Sequence, residues 1–322
     1  MTTHSIRDRR LGAAALALTT IAGLAGCGSG ADPDVRSAAP RGAASAIAVD
    51  PVQAKVTKQI GRLEATHHVR IGAFAIDTGN GRKVSHRPDE RFAFASTFKA
   101  MACGAVLRKA RRSDPGLLDR VIHYTRDDLV AGSRETEKHV DTGMTVAALC
   151  HAAITQSDNT AGNLVLKEIG GPAGLTAFFR SLGDTVSRSD RWETDLNIWK
   201  PGELRDTTAP RPWASDLRAL TVGDALVPDD REQLIDWMKA TVTGDKRIRA
   251  GLPKNWTVGD KTGTGGVYGT ANDIAIAWPP SGAPLVIAIT TNGPTADAET
   301  NDRAVAQTAR VLAGALRRPP AS

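Results

Sequence analysis

The apolar positions along the chain recur with two spacings, and each spacing predicts a different element. After Asp50–Pro51, a good helix start, apolar residues follow every three or four positions, which predicts a helix. The segments VRIGAFAID and RKVSHR are strand-like and flank the turn TGNG, so they predict a β-hairpin. Strand patterns return late in the chain, in WTVGDKTGTG, NDIAIAWPP and PLVIAITTN. A final amphipathic helix follows and ends at Pro319–Pro320.

Between these two groups of strands, from about 96 to 240, the pattern is mainly helical. TFKAMACGAVLRKARR, MTVAALCHAAITQ and NTAGNLVLKEIGG each fit a helix. Strands at both ends with helices between them predict an α/β (α+β sandwich) fold, in which helices flank one antiparallel five-stranded sheet and an all-α lobe is inserted. We assign the sheet lobe to 51–90 and 241–318 and the helical lobe to 91–240. A cleft between two lobes is the expected place for a site.

The first 26 residues have the pattern of an export signal. Three arginines precede the 16-residue apolar stretch LGAAALALTTIAGLAG, which is short for a membrane span. The motif LAGC resembles a bacterial lipobox and predicts lipidation of Cys27, with plain secretion as the alternative. Arg9–Arg10 leaves twin-arginine export open beside the general secretory route. We expect the protein on the outer face of the cell membrane or secreted, and residues 27–50 as a flexible tether.

Composition narrows the classes of function. The 322 residues suffice for one large domain or two smaller ones, and 41% apolar content is ordinary for a globular protein. The net charge of +6 comes from scattered basic residues and gives little reason to expect nucleic acid as a partner. Histidines and cysteines show no metal-binding spacing, so no metal or cofactor is predicted. If Cys27 carries lipid, Cys103 and Cys150 remain as a pair, which favours a disulfide in an exported protein; two buried free thiols are the alternative.

Ser96 and Lys99 lie three residues apart in the apolar run FASTFKA. On a helix they share a face, and a lysine on a face that is buried is costly unless something uses its charge. A serine hydroxyl becomes a nucleophile only beside a base or in a favourable field, which a helix N-terminus supplies. Taken alone, the pair also fits a helix cap followed by a surface lysine.

Three further segments favour a catalytic role for Ser96 and Lys99. SDN, at Ser157–Asn159, lies at a turn between two predicted helices, and KTG, at Lys261–Gly263, lies on a strand of small residues that a ligand can approach. In RWETDLN, the i, i+4 spacing of Glu193 and Asn197 lets both side chains hold one water. Each segment alone also fits an ordinary structural role: a cap, a strand end or a solvated helix charge. Their joint order along the chain is far more specific.

In this order, SxxK, SDN, ExxxN and KTG resemble the signature of the class A serine β-lactamases. The resemblance covers about 52–316 and includes the long stretch TEKHVDTGMTVAALCHAAITQSDNTAGNL. It implies a monomeric hydrolase of small β-lactam antibiotics that needs no cofactor and touches a membrane only through a lipid anchor. Cys103 and Cys150 also fall where many family members have a disulfide.

The resemblance implies a role for each motif. Ser96 attacks the lactam carbonyl, and the backbone N–H groups of Ser96 and Thr264 form the oxyanion hole. Lys99 and Glu193, the latter through a water, stay open as the base for this first step. Ser157 passes a proton to the lactam nitrogen, and Glu193 then activates a water, held by Asn197, that hydrolyses the acyl-enzyme. The residues implied in substrate binding are Asn159, Lys261, Thr262, Gly263, Thr264 and Arg247.

Two positions depart from the commonest family pattern. Gly132 stands where many relatives carry a bulky gate residue, and Arg134 stands in place of a proline, so we expect a wider mouth and leave substrate preference open. No arginine follows KTG on its strand, and Arg247 matches relatives that supply this charge from earlier in the chain. The alternative for Arg247 is a solvated basic cluster with Lys246 and Arg249.

The segment 191–206, called the Ω-loop below, carries Glu193. Arg191 and Asp206 at its ends predict an ion pair, which is either buried or a loose surface pair. A cell-wall DD-peptidase is the rival enzyme, because such proteins share the other motifs but lack this glutamate. A catalytically silent exported lipoprotein that binds wall or antibiotic ligands is the rival from another class, and the intact motif residues argue against it.

Overall fold

The computed structural model describes residues 50–317. The predicted signal segment 1–26, nearly all of the predicted tether and the lipidation site Cys27 lie outside the described residues. Within 50–317, no helix is both long enough and apolar enough to cross a membrane.

The described chain alternates short loops with helices and strands. Its helices are α1 (Pro51–His67), α2 (Phe98–Arg112), α3 (Val146–Thr155), α4 (Asn159–Glu168), α5 (Gly171–Ser181), α6 (Pro210–Thr221), α7 (Pro228–Lys239), α8 (Ile248–Gly251) and α9 (Asp302–Leu316). Its strands are β1 (Arg70–Asp77), β2 (Lys83–His86), β3 (Phe92–Ala93), β4 (Val121–Ile122), β5 (Met144–Thr145), β6 (Thr207–Thr208), β7 (Thr257–Thr264), β8 (Ala271–Trp278) and β9 (Leu285–Asn292).

A five-stranded antiparallel sheet with the strand order β2-β1-β9-β8-β7 forms the frame, as predicted. The register pairs Arg70 with Asn292 and Thr264 with Ala271. Both faces of the sheet are covered, because alternate residues of β1 enter different cores: Ile71 packs with α1 and α9, whereas Phe74 packs with the helices of the middle segment. The early hairpin and the late strands therefore meet in one sheet, and the α+β fold is confirmed.

The inserted middle segment contains more than helices. Two short antiparallel pairs, β3 with β6 and β4 with β5, lie within it, so the prediction of an all-α lobe is wrong in this detail. The β3–β6 pair joins Phe92 to Thr208 where the chain passes between the sheet and the helices. Extended backbone at such a crossing needs partners for its N–H and C=O groups, and short strand pairs supply them. The predicted boundaries of the two lobes stay a prediction.

The two cysteines of the described chain do not form the disulfide expected of the family. Cys103 on α2 and Cys150 on α3 are both buried free thiols, and the Cys103 Sγ donates to the Cys150 carbonyl oxygen at 3.8 Å. Burial, reinforced by the neighbouring Cys150 thiol, raises the pKa of the Cys103 thiol well above its usual value. Within the described residues, the structure therefore has the alternative of two buried free thiols.

Candidate active site

Ser96 lies at the entrance to α2 rather than inside it. It belongs to a 3₁₀ turn, Ala95–Thr97, that runs directly into the helix. The Thr97 hydroxyl donates to the Phe94 carbonyl at 2.6 Å and accepts from the Trp213 indole N–H at 3.0 Å, which fixes the turn. Ser96 is buried, and its position before the first turn of α2 exposes its oxygen to the positive end of the helix dipole.

Lys99 is fully buried one helical turn after Ser96. Its Nζ donates to the Ser96 Oγ at 2.9 Å, to the Ser157 carbonyl at 2.9 Å and to the Asn159 Oδ1 at 2.6 Å. A Cβ on Gly162 would lie 2.7 Å from the Lys99 Cε, so the glycine makes room for the stem. The lysine that the sequence placed on a buried face is thus fully hydrogen-bonded.

Glu193 completes the contacts of the nucleophile. The Ser96 hydroxyl donates directly to the Glu193 Oε1 at 3.0 Å, and the Lys99 Nζ lies 3.0 Å from the same oxygen. The Asn197 amide donates to the Glu193 Oε2 at 2.6 Å. The predicted i, i+4 pairing of these two side chains is present, although a 3₁₀ turn, Asp195–Asn197, supports it rather than an α-helix.

Sequence reasoning missed Asn163, which holds Glu193 by its backbone. The Asn163 Oδ1 accepts from the Glu193 N–H at 2.8 Å, and its Nδ2 donates to the Glu193 carbonyl at 2.9 Å. Asn163 lies four residues after Asn159 on α4, so the two amides share one face of the helix. That spacing, beginning at the SDN motif, is the signal that could have found it.

Ser157 connects the two buried lysines of the site. Its carbonyl accepts from Lys99, and its hydroxyl accepts from the Lys261 Nζ at 3.0 Å. The turn before α4 places Ser157 at φ +57°, and Asp158 caps the helix by accepting from the Ala161 N–H at 2.8 Å. Burial, with the positive charge of Lys99 nearby, lowers the pKa of Lys261 to about 7.

Strand β7 passes close to the nucleophile because Gly263 has no side chain. A Cβ there would lie 2.8 Å from the Phe94 carbonyl oxygen and 3.0 Å from the Thr97 backbone nitrogen. The next residue, Thr264, is therefore brought beside the turn that carries Ser96, and it is exposed. Thr262, buried on the same strand, shares a hydrogen bond of 2.6 Å with the Thr243 hydroxyl.

Arg247 lies against β7 and is only 6% exposed, so the alternative of a solvated basic cluster is wrong for this residue. Its guanidinium donates to the Thr264 hydroxyl at 2.7 Å and to the Gly263 carbonyl at 2.8 Å. Asp302, which the sequence did not single out, accepts from the Arg247 Nε at 2.7 Å. The guanidinium thus places positive charge beside Thr264, at the end of the strand.

The mouth of the site contains Gly132 at φ +82°, a conformation that favours glycine. A Cβ at Gly132 would lie 2.9 Å from the Asn159 Nδ2, which donates to the Ala131 carbonyl at 2.6 Å. A bulky gate residue at this position would therefore require the Asn159 amide to move.

The Ω-loop is closed at its neck by a buried ion pair. The Arg191 Nε donates to the Asp206 Oδ2 at 2.6 Å, and Asp206 is fully buried. The Asp206 Oδ1 also accepts from the backbone N–H groups of Asp190 and Arg191, at 2.8 and 3.0 Å. The second guanidinium arm reaches the Ile198 carbonyl at 2.8 Å. Of the two alternatives for this pair, the structure contains the buried one.

The site brings together a serine hydroxyl, a lysine and a glutamate within hydrogen-bond distance, with a second serine–lysine pair beside them. This arrangement defines an enzyme that acts through a serine nucleophile. The chain belongs to the beta-lactamase enzyme family, whose model matches residues 55–316.

Named relatives cover most of the chain. It is 52% identical to Beta-lactamase AST-1 of Nocardia asteroides over 96% of each chain. It is 49% identical to the carbapenem-hydrolyzing beta-lactamase KPC of Klebsiella oxytoca, over 80% of this chain and 87% of that one. The crystal structure of a beta-lactamase from Streptosporangium roseum matches with a TM-score of 0.81 and 57% identity, covering 82% of this chain and 98% of that one.

Proposed function

We propose that this protein hydrolyses β-lactam antibiotics through an acyl-enzyme on Ser96 and so confers antibiotic resistance. The observation that carries the proposal is the contact of the Ser96 Oγ with both the Lys99 Nζ, at 2.9 Å, and the Glu193 Oε1, at 3.0 Å. Relatives named as beta-lactamases at about half identity, over most of the chain, support the substrate class.

In the acylation step, the Ser96 Oγ attacks the lactam carbonyl, the lactam C–N bond breaks and the nitrogen takes up a proton. The Lys99 Nζ lies 2.9 Å from the Ser96 Oγ, and both the Lys99 Nζ and the Ser96 Oγ lie 3.0 Å from the Glu193 Oε1. Lys99 and Glu193 therefore both stay open as the first base, and Lys99 remains beside the Ser96 hydroxyl when Glu193 is removed. Ser157, held by Lys261, lies in place to deliver a proton to the departing nitrogen.

The second step follows from the same contacts. By the time the Ser96 Oγ is esterified, its proton has been passed on toward Ser157 to replace the one given to the lactam nitrogen, so the Glu193 Oε1 is an unprotonated carboxylate oxygen and can accept a proton from water. That proton then goes to the Ser96 Oγ as the ester bond breaks. Asn197 continues to hold the other carboxylate oxygen, and Asn163 holds the backbone. The N–H groups of Ser96 and Thr264 are the proposed oxyanion hole for both steps, and losing one such donor typically costs about 10²–10³ in rate.

The substrate carboxylate binds at the end of β7 in this proposal. Lys261 and Arg247 supply positive charge there, and the exposed Thr264 hydroxyl and Thr262 lie on the same strand. Asn159 offers its amide to the substrate side chain. The direct contact between Glu193 and the nucleophile argues against a DD-peptidase, since that class has no comparable base for hydrolysis of its acyl-enzyme.

Two substitutions test this function, with benzylpenicillin as the probe. Ser96→Ala should show no covalent mass increase and lose turnover by at least about 10³-fold, because no nucleophile remains. Glu193→Ala should accumulate a stable acyl-enzyme, seen as a persistent mass increase of one penicillin. Glu232→Ala, at an exposed position of α7, is the matched control and should turn over normally. Labelling of the Ser96 variant, or rapid turnover by the Glu193 variant, would refute the assigned roles.

We also propose that the protein is exported, lipidated at Cys27 and active as a monomer at the outer face of the membrane. The basic start, the short apolar stretch and the LAGC motif support this proposal. The mass of the mature N-terminus, measured on protein from the producing cell, tests it. A diacylated Cys27 is the expected result, and an unmodified N-terminus would contradict lipidation.

A further inference from the structure

An aromatic contact connects the Ω-loop to the segment that follows β7. Trp199 is 5% exposed, and its ring centroid lies 5.8 Å from that of Tyr268 at an interplanar angle of 78°. This is the edge-to-face geometry that aromatic pairs favour. The Trp199 indole N–H also donates to the Glu203 carbonyl, within the same loop, at 3.2 Å. The ring thus connects the loop internally and to the body of the protein.

Tyr268 offers a rigid support for that ring. Its N–H donates to the Ala296 carbonyl at 2.9 Å, and its own carbonyl accepts from the Gly293 N–H at 2.6 Å. The following residue, Gly269, has φ +52°, and a Cβ there would lie 2.4 Å from the Glu299 carbonyl oxygen. The backbone around Tyr268 is therefore fixed by the segment between β9 and α9.

Behind the loop lies a cavity of about 650 Å³. Trp199, Pro201 and Gly202 of the loop line it, together with Arg91 and Asn292. The cavity opens to the surface, so solvent rather than packed protein lies beside this part of the loop. Removing the Trp199 ring would take away the contact with Tyr268 that fixes this part of the loop.

We propose that Trp199 and Tyr268 form a positioning pair that fixes Glu193 and Asn197 relative to Ser96 and so sets the rate of deacylation. Trp199 follows Asn197 by two residues, and Tyr268 follows Thr264 by four. The ring contact therefore links the segment that holds the hydrolytic water to the segment that supplies an oxyanion N–H. Neither ring touches the nucleophile, so both act through other groups. This inference rests on the proposed function.

The test measures the two chemical steps separately in Trp199→Ala, Trp199→Phe and Tyr268→Leu, with benzylpenicillin as the probe. Deacylation comes from the decay of the acyl-enzyme mass after the substrate is removed, and acylation comes from kcat/KM. We expect Trp199→Ala and Tyr268→Leu to deacylate about 10–100 times more slowly, since a displacement of about 1 Å costs up to 10²-fold. Their kcat and KM should fall together, leaving kcat/KM within about threefold of the unsubstituted protein.

Trp199→Phe keeps an aromatic edge and should restore deacylation to within about threefold. Ile198→Ala is the matched control, because Ile198 is the neighbouring loop residue and is 63% exposed. Circular dichroism confirms that each variant is folded, and Tyr268→Leu carries the test if Trp199→Ala does not fold. Unchanged deacylation in the folded variants, or a loss confined to kcat/KM, would overturn the positioning role. Failure of the unsubstituted protein to hydrolyse benzylpenicillin would instead refute the proposed function.

Discussion

Buried charge defines this site at the scale of single residues. Lys99 and Lys261 are both fully buried, yet their surroundings differ. Lys99 has four oxygens around its Nζ, one of them a carboxylate oxygen, whereas Lys261 donates to a hydroxyl and to the Thr262 carbonyl. Burial and the neighbouring Lys99 therefore lower the pKa of Lys261 to about 7. The group that attracts an anionic substrate changes its charge near neutral pH.

This pKa predicts how activity depends on pH. Below pH 7 Lys261 carries its proton and attracts the substrate carboxylate; as pH rises through 7 it loses that charge, so kcat/KM for benzylpenicillin should fall. Lys261→Arg keeps a permanent charge and should lose this descending limb. Steady-state kinetics from pH 5.5 to 9 check the difference.

Lys254→Arg is the control for that comparison, because Lys254 is exposed and outside the site. Its pH profile should match that of the unsubstituted protein. A descending limb with the same midpoint in Lys261→Arg would assign the limb to another group.

At the scale of elements, the site is assembled from pieces that are distant in sequence. The nucleophile comes from the turn before α2, Ser157 from the turn before α4, the glutamate from the Ω-loop and Lys261 from β7. Helices such as α1 and α9 followed from the apolar pattern, because their buried residues, among them Val56 and Ile60 in α1, recur at helical spacing. In α2 and β7, by contrast, most residues are buried. The turns follow no such period.

The Ω-loop has features that local sequence patterns do not predict. Its i, i+4 pair was readable as a pair of water-holding groups, but its 3₁₀ turn and its direct contact with Ser96 were not. Those features depend on Asn163, Asp206 and Trp199, which hold the loop through contacts with α4, its own neck and Tyr268. Contacts between segments far apart in sequence leave no periodic signal.

At the scale of the whole molecule, two carboxyl groups, from α6 and from the loop after α5, are buried beside each other. Asp216 on α6 is 2% exposed and Asp184, after α5, is 5% exposed. Within the described residues, the Oδ2 atoms of both are buried without a hydrogen-bond donor. Burial, with the Asp184 carboxyl beside it and Arg180 opposing, raises the pKa of Asp216 to about 9. Asp216 therefore keeps its proton at neutral pH.

Unfolding should therefore depend on pH through Asp216. The folded protein keeps this proton up to about pH 9, whereas the unfolded chain releases it near pH 4. The contribution to the free energy of unfolding is thus complete below pH 4 and is lost as pH rises toward 9, at most about 1.4 kcal/mol per pH unit. Asp216→Asn, which stays neutral, should lose less stability over this range.

Urea unfolding of both proteins at pH 5, 7 and 9 measures this difference. The gap between the variant and the unsubstituted protein should widen in favour of the variant as pH rises. Parallel curves over the whole range would show that Asp216 does not hold this proton in the folded protein.

The amino-acid order alone established the α+β class, the start of α1 at Asp50, most long elements and the family, because those depend on regular burial and on short motifs. It did not establish the state of the cysteines: the family pattern predicted a disulfide, and the structure has two buried free thiols on α2 and α3.

Three-dimensional packing also settled the surroundings of each charge. Arg247 is buried and donates hydrogen bonds to Thr264 and Asp302. Asn163 holds the backbone of Glu193, and the ion pair at the neck of the Ω-loop is buried. The reason is physical: hydrogen bonds and burial depend on distance in space, and groups tens of residues apart meet only when the sheet and helices have closed around them. The motifs identify the chemical groups of the site. The tertiary structure determines the distances between them, their charge and their exposure to water.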